Sequence, residues 1–371
     1  MHLPHSLSLL FLAGLVAAQD NGSYAEGLTQ ALNGAGLTSL ATALGAAPAS
    51  LLSALQQGNH TVFAPTNDAL SGVNPTQLPN IADILAYHVT AGVVDTDKLN
   101  ETPTVVRSSL GSAPAVELPA NQTQVLVVGK ANNGTVFLEN NGRNVQVAAN
   151  ATYANLRVLA INRVLSIPAN ISTVAAQTSE ISALVGAVTS AAPQVLTALV
   201  GVKGLTLFAP NNAAIQAVAS QLPNLNQTTL TNVLLNHVIN GTAVYSTGVT
   251  DGGSAISAGG EELKFAVNSS GAFVTSGNST AKIVQTNILT SNGVIHLIDS
   301  VLLNTQSNPE AATSAFASAS SAQASQTATQ TGPVTGSGNG SGGAAFARAD
   351  IGAALKVAGA LFLGAIAGTV L

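Results

Sequence analysis

The feature that most constrains this chain is a segment that occurs twice. Thr61 to Leu70 reads TVFAPTNDAL, and Leu205 to Ile215 reads LTLFAPNNAAI. In each, a short β-rich apolar run meets Ala-Pro, then polar residues, then an apolar residue. Thr61, Val62 and Phe63 suit a buried strand. Pro65 and Pro210 cannot donate to a sheet ladder, so the strand is expected to end there. Thr66 or Asn67, and Asn211 or Asn212, can accept the free N–H groups of a following helical turn. Each copy therefore predicts strand, stop, capped helix. Phe63 and Phe208 lie 145 positions apart. That period is too long for a solenoid and fits two domains of ordinary size.

The periodicity around each copy has the same order. Leu28, Leu32, Leu37, Leu40 and Leu44 recur at helical spacing, and Leu51, Leu52 and Leu55 continue it after Pro48. Leu78 to Tyr87 predicts another helix. The period then changes to two in VVRSSL, QVLVVGK, GTVFLEN and NVQVAAN, with turns at Asn133–Gly134 and Asn141–Gly142. The second half predicts helices over Ile171 to Val188, Pro193 to Val200 and Thr228 to His237. Strands ELKFAVN, GAFVTSG, AKIVQTNILT and GVIHLIDSVLL follow. Helices first and strands second, twice over, predict a repeated α+β domain over residues 20–167 and 168–304.

At these residues the chain resembles a known family. FAPTNDAL and FAPNNAAI resemble the first signature of fasciclin domains. LAYHV (Leu85 to Val89) and LLNHVI (Leu234 to Ile239) resemble its central Tyr-His segment, and SNGVIHLIDSVLL (Ser291 to Leu303) its closing signature. In the first half the closing signature is worn down to ANLRVLAINRVL, Ala154 to Leu165. The resemblance covers about Asn21 to Asn304. It implies two tandem fasciclin-like domains, each a wedge of two small sheets with helices beside them. It also implies adhesion as the function, with Tyr87 and His88 as the motif used toward a receptor and His237 in the matching place. Asn236 stands where the family has Tyr. The residues themselves admit a plainer reading: one backbone-bonded core histidine per domain at a helix–strand junction.

Composition narrows the function. Charged residues are 7% of the chain against about a quarter in ordinary soluble domains. Net charge is −5 with no basic cluster, which argues against a nucleic-acid partner. There is no Cys, hence no disulfide, thiolate metal site or thiol nucleophile. There is no Trp, so an aromatic sugar platform is poorly supported. His60, His88, His237 and His296 are too scattered for a zinc site, and no cofactor is expected. Asp95 with Asp97, and Glu261 with Glu262, read as solvated turns, and Asp68 and Asp299 as cap or turn residues. Neither a nucleophile elbow nor a phosphate or dinucleotide loop occurs, so no enzyme is expected. A glycan hydrolase would need two carboxylates converging at about 5–9 Å.

The ends of the chain carry targeting patterns. Residues 1–18 read as a signal peptide, with an apolar run from Leu7 to Val16 and a small-residue site ending at Ala18. Residues 305–343 are rich in Ser, Thr, Ala, Gly and Gln and predict a disordered, O-glycosylated stalk. Residues 344–371 read as a GPI-attachment signal, with Asn339, Gly340 or Ser341 as the attachment site and Ile351 to Leu371 as the apolar tail. The layout is similar to that of fungal wall and plasma-membrane proteins. N-glycosylation sequons stand at Asn21, Asn59, Asn100, Asn121, Asn133, Asn150, Asn170, Asn226, Asn240, Asn268, Asn278 and Asn339. Together these predict a GPI-anchored surface glycoprotein whose partners are cell-surface, wall or matrix glycoproteins or glycans. A wall glycoprotein with no specific ligand is the alternative.

Overall fold

A computed structural model describes residues 20–325, apart from 46, 48, 72–79, 141, 192 and 222–224. The signal peptide, the end of the stalk, Asn339 and the anchor signal lie outside the described residues. Among the described residues no single helix is long and apolar enough to cross a membrane.

Helices α1 (Asp20–Gly34), α2 (Thr38–Gly45) and α3 (Ala49–Gln56) precede β1 (His60–Pro65). After α4 (Ile81–Tyr87) the chain runs through β2 (Val89–Ala91), β3 (Thr104–Arg107), β4 (Val125–Lys130), β5 (Val136–Asn140), β6 (Arg143–Tyr153) and β7 (Leu156–Ile161). The second half repeats this with α5 (Ile171–Gln177), α6 (Ser182–Ala191), α7 (Pro193–Gly201) and β8 (Leu205–Pro210). Then come α8 (Asn212–Val218), α9 (Gln227–Leu235), β9 (Val238–Asn240), β10 (Ser254–Ile256), β11 (Glu262–Asn268), β12 (Gly271–Ser276), β13 (Ser279–Thr290) and β14 (Gly293–Ile298).

The two sheets have matching strand orders, β2-β1-β7-β6-β5-β4-β3 and β10-β11-β12-β13-β14-β8-β9. The motif strands β1 and β8 pair parallel with the closing strands β7 and β14, and all other pairings are antiparallel. The two small sheets of each wedge thus share one long strand, β6 or β13, which is bulged against the closing strand. A bulge bends its strand. The motif strand is buried on both faces as a result. Val62 packs with the helices while Phe63 points into the strand wedge, and Leu207 and Phe208 divide the same way. Phe63 and Phe208 are both 0% exposed.

Both strands end at their prolines, as the missing N–H requires. In the second copy Asn211 caps α8 by accepting from the Ala214 N–H at 2.8 Å. In the first, Thr66 accepts from the Ala69 N–H at 3.2 Å, but residues 67–71 form turns rather than a helix. The next motif residue has another task. Asn67 Oδ1 accepts from the Ser39 N–H and its Nδ2 donates to the Gly36 carbonyl, clasping the start of α2. Asn212 does the same to Ala183 and Ser179 at the start of α6.

One expectation is corrected. Composition predicted a disordered stalk from residue 305, yet α10 (Pro309–Ser325) continues the fold. Ala312, Ala315 and Ala319 are at most 2% exposed, and Ala319 joins the core of the second wedge. Small side chains let the helix approach closely, and the half-buried Phe316, over Gly241, is its one large apolar residue.

The wedges meet along a packed seam. Val125 and Val127 of β4 pack with Tyr245, Leu289 and Val294 of the second half. Gln124 Nε2 donates to the Thr290 carbonyl at 3.0 Å, and the Glu117 N–H to the Ser291 carbonyl at 2.7 Å.

Candidate functional site

Tyr87, His88 and His237 are the residues singled out for binding, and the structure buries all three, at 0, 3 and 3% exposure. The Tyr87 hydroxyl donates to the Val125 carbonyl at 3.2 Å. Burial, its largest influence, raises the phenol's pKa above the ordinary value. His88 closes α4 onto the last apolar run of its domain. Its Nδ1 donates to the Ile84 carbonyl at 2.7 Å, and its Nε2 accepts from the Leu165 N–H at 2.9 Å. An accepting Nε2 fixes the neutral tautomer protonated at Nδ1. Burial pulls the His88 pKa down to about 4, against a smaller raising effect of the Ile84 bond.

His237 repeats each detail. Nδ1 donates to the Val233 carbonyl at 2.7 Å and Nε2 accepts from the Leu302 N–H at 3.0 Å. Burial brings its pKa to about 4 as well. The expectation that these side chains meet a partner is therefore corrected: they are internal clamps at a helix–strand junction. A small apolar cavity of ≈ 20 Å³ lies beside His88, lined by Leu28, Leu44, Leu55, Val62 and Leu85 among others. It is about the size of one water molecule and offers no polar partner, so it carries no ligand chemistry.

Other motif positions are clamps too. Thr61 Oγ1 donates to the Gly92 carbonyl and accepts from the Val94 N–H, and Thr206 does the same with Thr242 and Val244. Asn292 of the closing signature donates to the carbonyls of Leu199 and Val202 behind α7. Asn155, in the worn-down copy, donates to those of Leu55 and Gly58 behind α3. Asp299 Oδ1 accepts from the Lys282 N–H at 2.8 Å. Among the sequence candidates, the two histidines and the paired asparagines are thus equivalent between halves, whereas Tyr87 has Asn236 as its counterpart.

The acidic pairs sit at the surface. Asp95 bridges Lys98 at 3.2 Å, and Glu262 lies 3.6 Å from Lys264. The Asp95 pKa is lowered, first by the Asp97 N–H and then by Lys98. Among the described residues no group of three or more acidic or histidine side chains could hold a metal ion.

The sequons fare differently. Asn59, Asn100, Asn121, Asn133, Asn150, Asn170, Asn226, Asn268 and Asn278 are exposed. Five of them use Oδ1 to hold a nearby backbone N–H: Asn100 from Thr102, Asn133 from Thr135, Asn170 from Thr173, Asn226 from Thr229 and Asn268 from Ser270. Their Nδ2 atoms, where a glycan attaches, take no part in those bonds. Asn240 is the exception and a correction. It is 0% exposed, and its Nδ2 and Oδ1 both lack a partner. No glycan fits there in the folded domain.

The fasciclin domain family model matches residues 35–168 and 179–304. A fasciclin-like arabinogalactan protein of Arthroderma benhamiae is 25% identical over 236 residues, covering 64% of this chain and 53% of that protein. The chain thus spans about half the length of that curated relative. The solved FAS1 domain pair of the insect cell adhesion molecule fasciclin I aligns over 73% of this chain and 98% of its own, at 16% identity and TM-score 0.37. With two segments matched over more than half its length, the chain belongs to the fasciclin domain family.

Proposed function

We propose that this protein is an extracellular adhesion or wall-interaction glycoprotein, secreted and held at the cell surface by a GPI anchor. The observation that carries this reading is the set of exposed sequons spread over both fasciclin domains, five with Nδ2 left free. A signal sequence and the layout of the C-terminal residues support it. So does the fasciclin-like arabinogalactan relative. The motif residues act as structural clamps, so a partner is met by surface outside them. No catalytic role is assigned.

Each domain is a weak binder on this reading, because no Trp is present and no Arg cluster offers a hot spot. Weak sites gain from effective concentration when many copies share one surface. Cells displaying the protein should therefore adhere or aggregate, the soluble ectodomain should adhere poorly, and clustering it on beads should restore adhesion. Equal adhesion by displaying and deleted cells would leave the ligand-free wall glycoprotein as the better account. Release by a phosphatidylinositol-specific phospholipase tests the anchor separately.

A further inference from the structure

The second wedge departs from the family motif at one position, and the departure has a partner. Asn236 stands where the first wedge has Tyr87, and it is 0% exposed. Its Nδ2 donates to the carbonyls of Asn304 and Gln306, both at 2.9 Å, and its Oδ1 accepts from Ser257 Oγ at 2.7 Å. The segment it grips lies past the last strand of the domain and leads into α10. Asn308 then donates its N–H to the Gly259 carbonyl at 2.8 Å. Two glycines leave room for this. A Cβ on Gly259 would collide with the Asn236 amide, and one on Gly260, at φ +87°, with the Asn308 carbonyl. Farther on, Phe316 lies over Gly241, where an added Cβ would sit 3.1 Å from its ring. α10 also lies against the 3-10 turn Pro119–Asn121, which belongs to the first wedge.

We propose that residues 304–325 form a releasable strap. Docked, the strap runs from the Asn236 grip in the second wedge to the Pro119–Asn121 turn of the first and helps hold the two together. Under tension from the C-terminus it peels away before either domain unfolds. The contacts are those of a part built to detach. Apart from the half-buried Phe316 the packed face of α10 is alanine, which removes little apolar area from water per residue, and the grip on residues 304–308 is a short row of hydrogen bonds at the start of the strap. A pull on Ser325 loads the helix from its free end, so its contacts fail one after another. The domain strands, tied by long ladders, share the load. The docking does not depend on the proposed anchorage; only its use under tension does.

Pulling the full chain by handles at its two ends tests this. The first event in the wild type should be a short extension. The strap's 22 residues extend to at most ~75 Å, against ~25 Å for the 17-residue docked helix plus up to ~17 Å for the five residues before it, so the gain is about 30 Å. Domain unfolding should follow with gains several times larger. Ala315→Arg, which places a bulky charge on the buried face of the helix, should abolish the short event and keep both domain events. Asn236→Ala should lower the force at which it occurs. Hydrogen exchange without load supplies a second readout: the amides of 312–319 should be protected in the wild type and lose that protection in Ala315→Arg. A first event that already releases a whole domain would overturn the proposal. So would a short event that persists in Ala315→Arg, or unprotected α10 amides in the wild type. Loss of adhesion with the short event intact would count against the functional reading alone.

Discussion

At the scale of the residue, His88 and His237 are each held by two bonds that demand the neutral ring. Protonating Nε2 would put a proton against the Leu165 or Leu302 N–H and break the clamp. His296 is also buried; its Nε2 donates to the Val244 carbonyl at 2.8 Å, and burial lowers its pKa to about 4. In all three the folded value lies below the unfolded value near 6.5, so the unfolded chain binds protons first as pH falls. The stability these groups confer is complete above about pH 6.5 and is lost as pH drops toward 4. At pH 5 the loss is roughly 2 kcal/mol per histidine. The second wedge has two such groups and the first has one, so urea titrations at pH 7 and pH 5 should show the second wedge losing more. A flat response between those pH values would contradict the assigned tautomers. Substitution separates clamp from contact surface. His88→Ala leaves the Leu165 N–H buried and unpaired beside a new void and should cost about 3 kcal/mol. Tyr87→Phe removes one bond to Val125 and should cost about 1 kcal/mol. Wild-type denaturation midpoints in both variants would return Tyr87 and His88 to the list of free surface groups.

At the scale of the element, each wedge depends on a parallel pair made by strands far apart in sequence, β1 with β7 and β8 with β14. Gly293 opens β14 where a Cβ would run into the Leu205 backbone. Backbone cannot swing aside as a side chain can, so Gly293→Ala should part the start of β8 from β14. The expected result is a cost of about 2 kcal/mol or more, with lost exchange protection confined to the second wedge; unchanged protection there would refute the close approach. The motif strands and their proline stops were legible in the sequence because they are local facts: a β-branched run and a residue with no N–H. The repeat was legible because Phe63 and Phe208 sit in identical frames. What could not be read was set by distant packing. A sequon is a three-residue pattern, and nothing in Asn240-Gly241-Thr242 reveals that the wedge closes over Asn240. The clasp from Asn67 to α2 spans 28 positions or more, so Asn67 looked like a cap. α10 was missed because alanine and serine read as linker residues, although Ala312, Ala315 and Ala319 pack closely, with Phe316 and Ala319 over Gly241.

At the scale of the whole molecule, the surface has few charges with which to stay soluble. Acidic residues exceed basic ones by only five, 16 against 11; the full sequence corresponds to an isoelectric point of about 5.6, and removal of the proposed signal and anchor segments, with Arg348 and Lys356, lowers it. As pH falls from neutral toward that value the net charge vanishes, and with it the repulsion between copies. Nine exposed sequons are spread over both wedges, including the helix caps Asn170 and Asn226 and the strand turns near Asn133, Asn268 and Asn278. Glycans at these places would stand between neighbouring copies whatever the pH, because their exclusion is steric and does not titrate. The expected outcome is a difference that appears only near the isoelectric point. Protein secreted from a eukaryotic host and trimmed with an endoglycosidase should scatter light strongly at its own isoelectric point, found by focusing the same material, and little at pH 7.5, while the untrimmed protein stays clear at both. Mass spectrometry of the same material should find the exposed sequons occupied and Asn240 bare. Trimmed protein as clear as untrimmed at that pH would mean that its polar side chains keep the molecule in solution unaided, and an occupied Asn240 in soluble protein would contradict its burial in the second wedge.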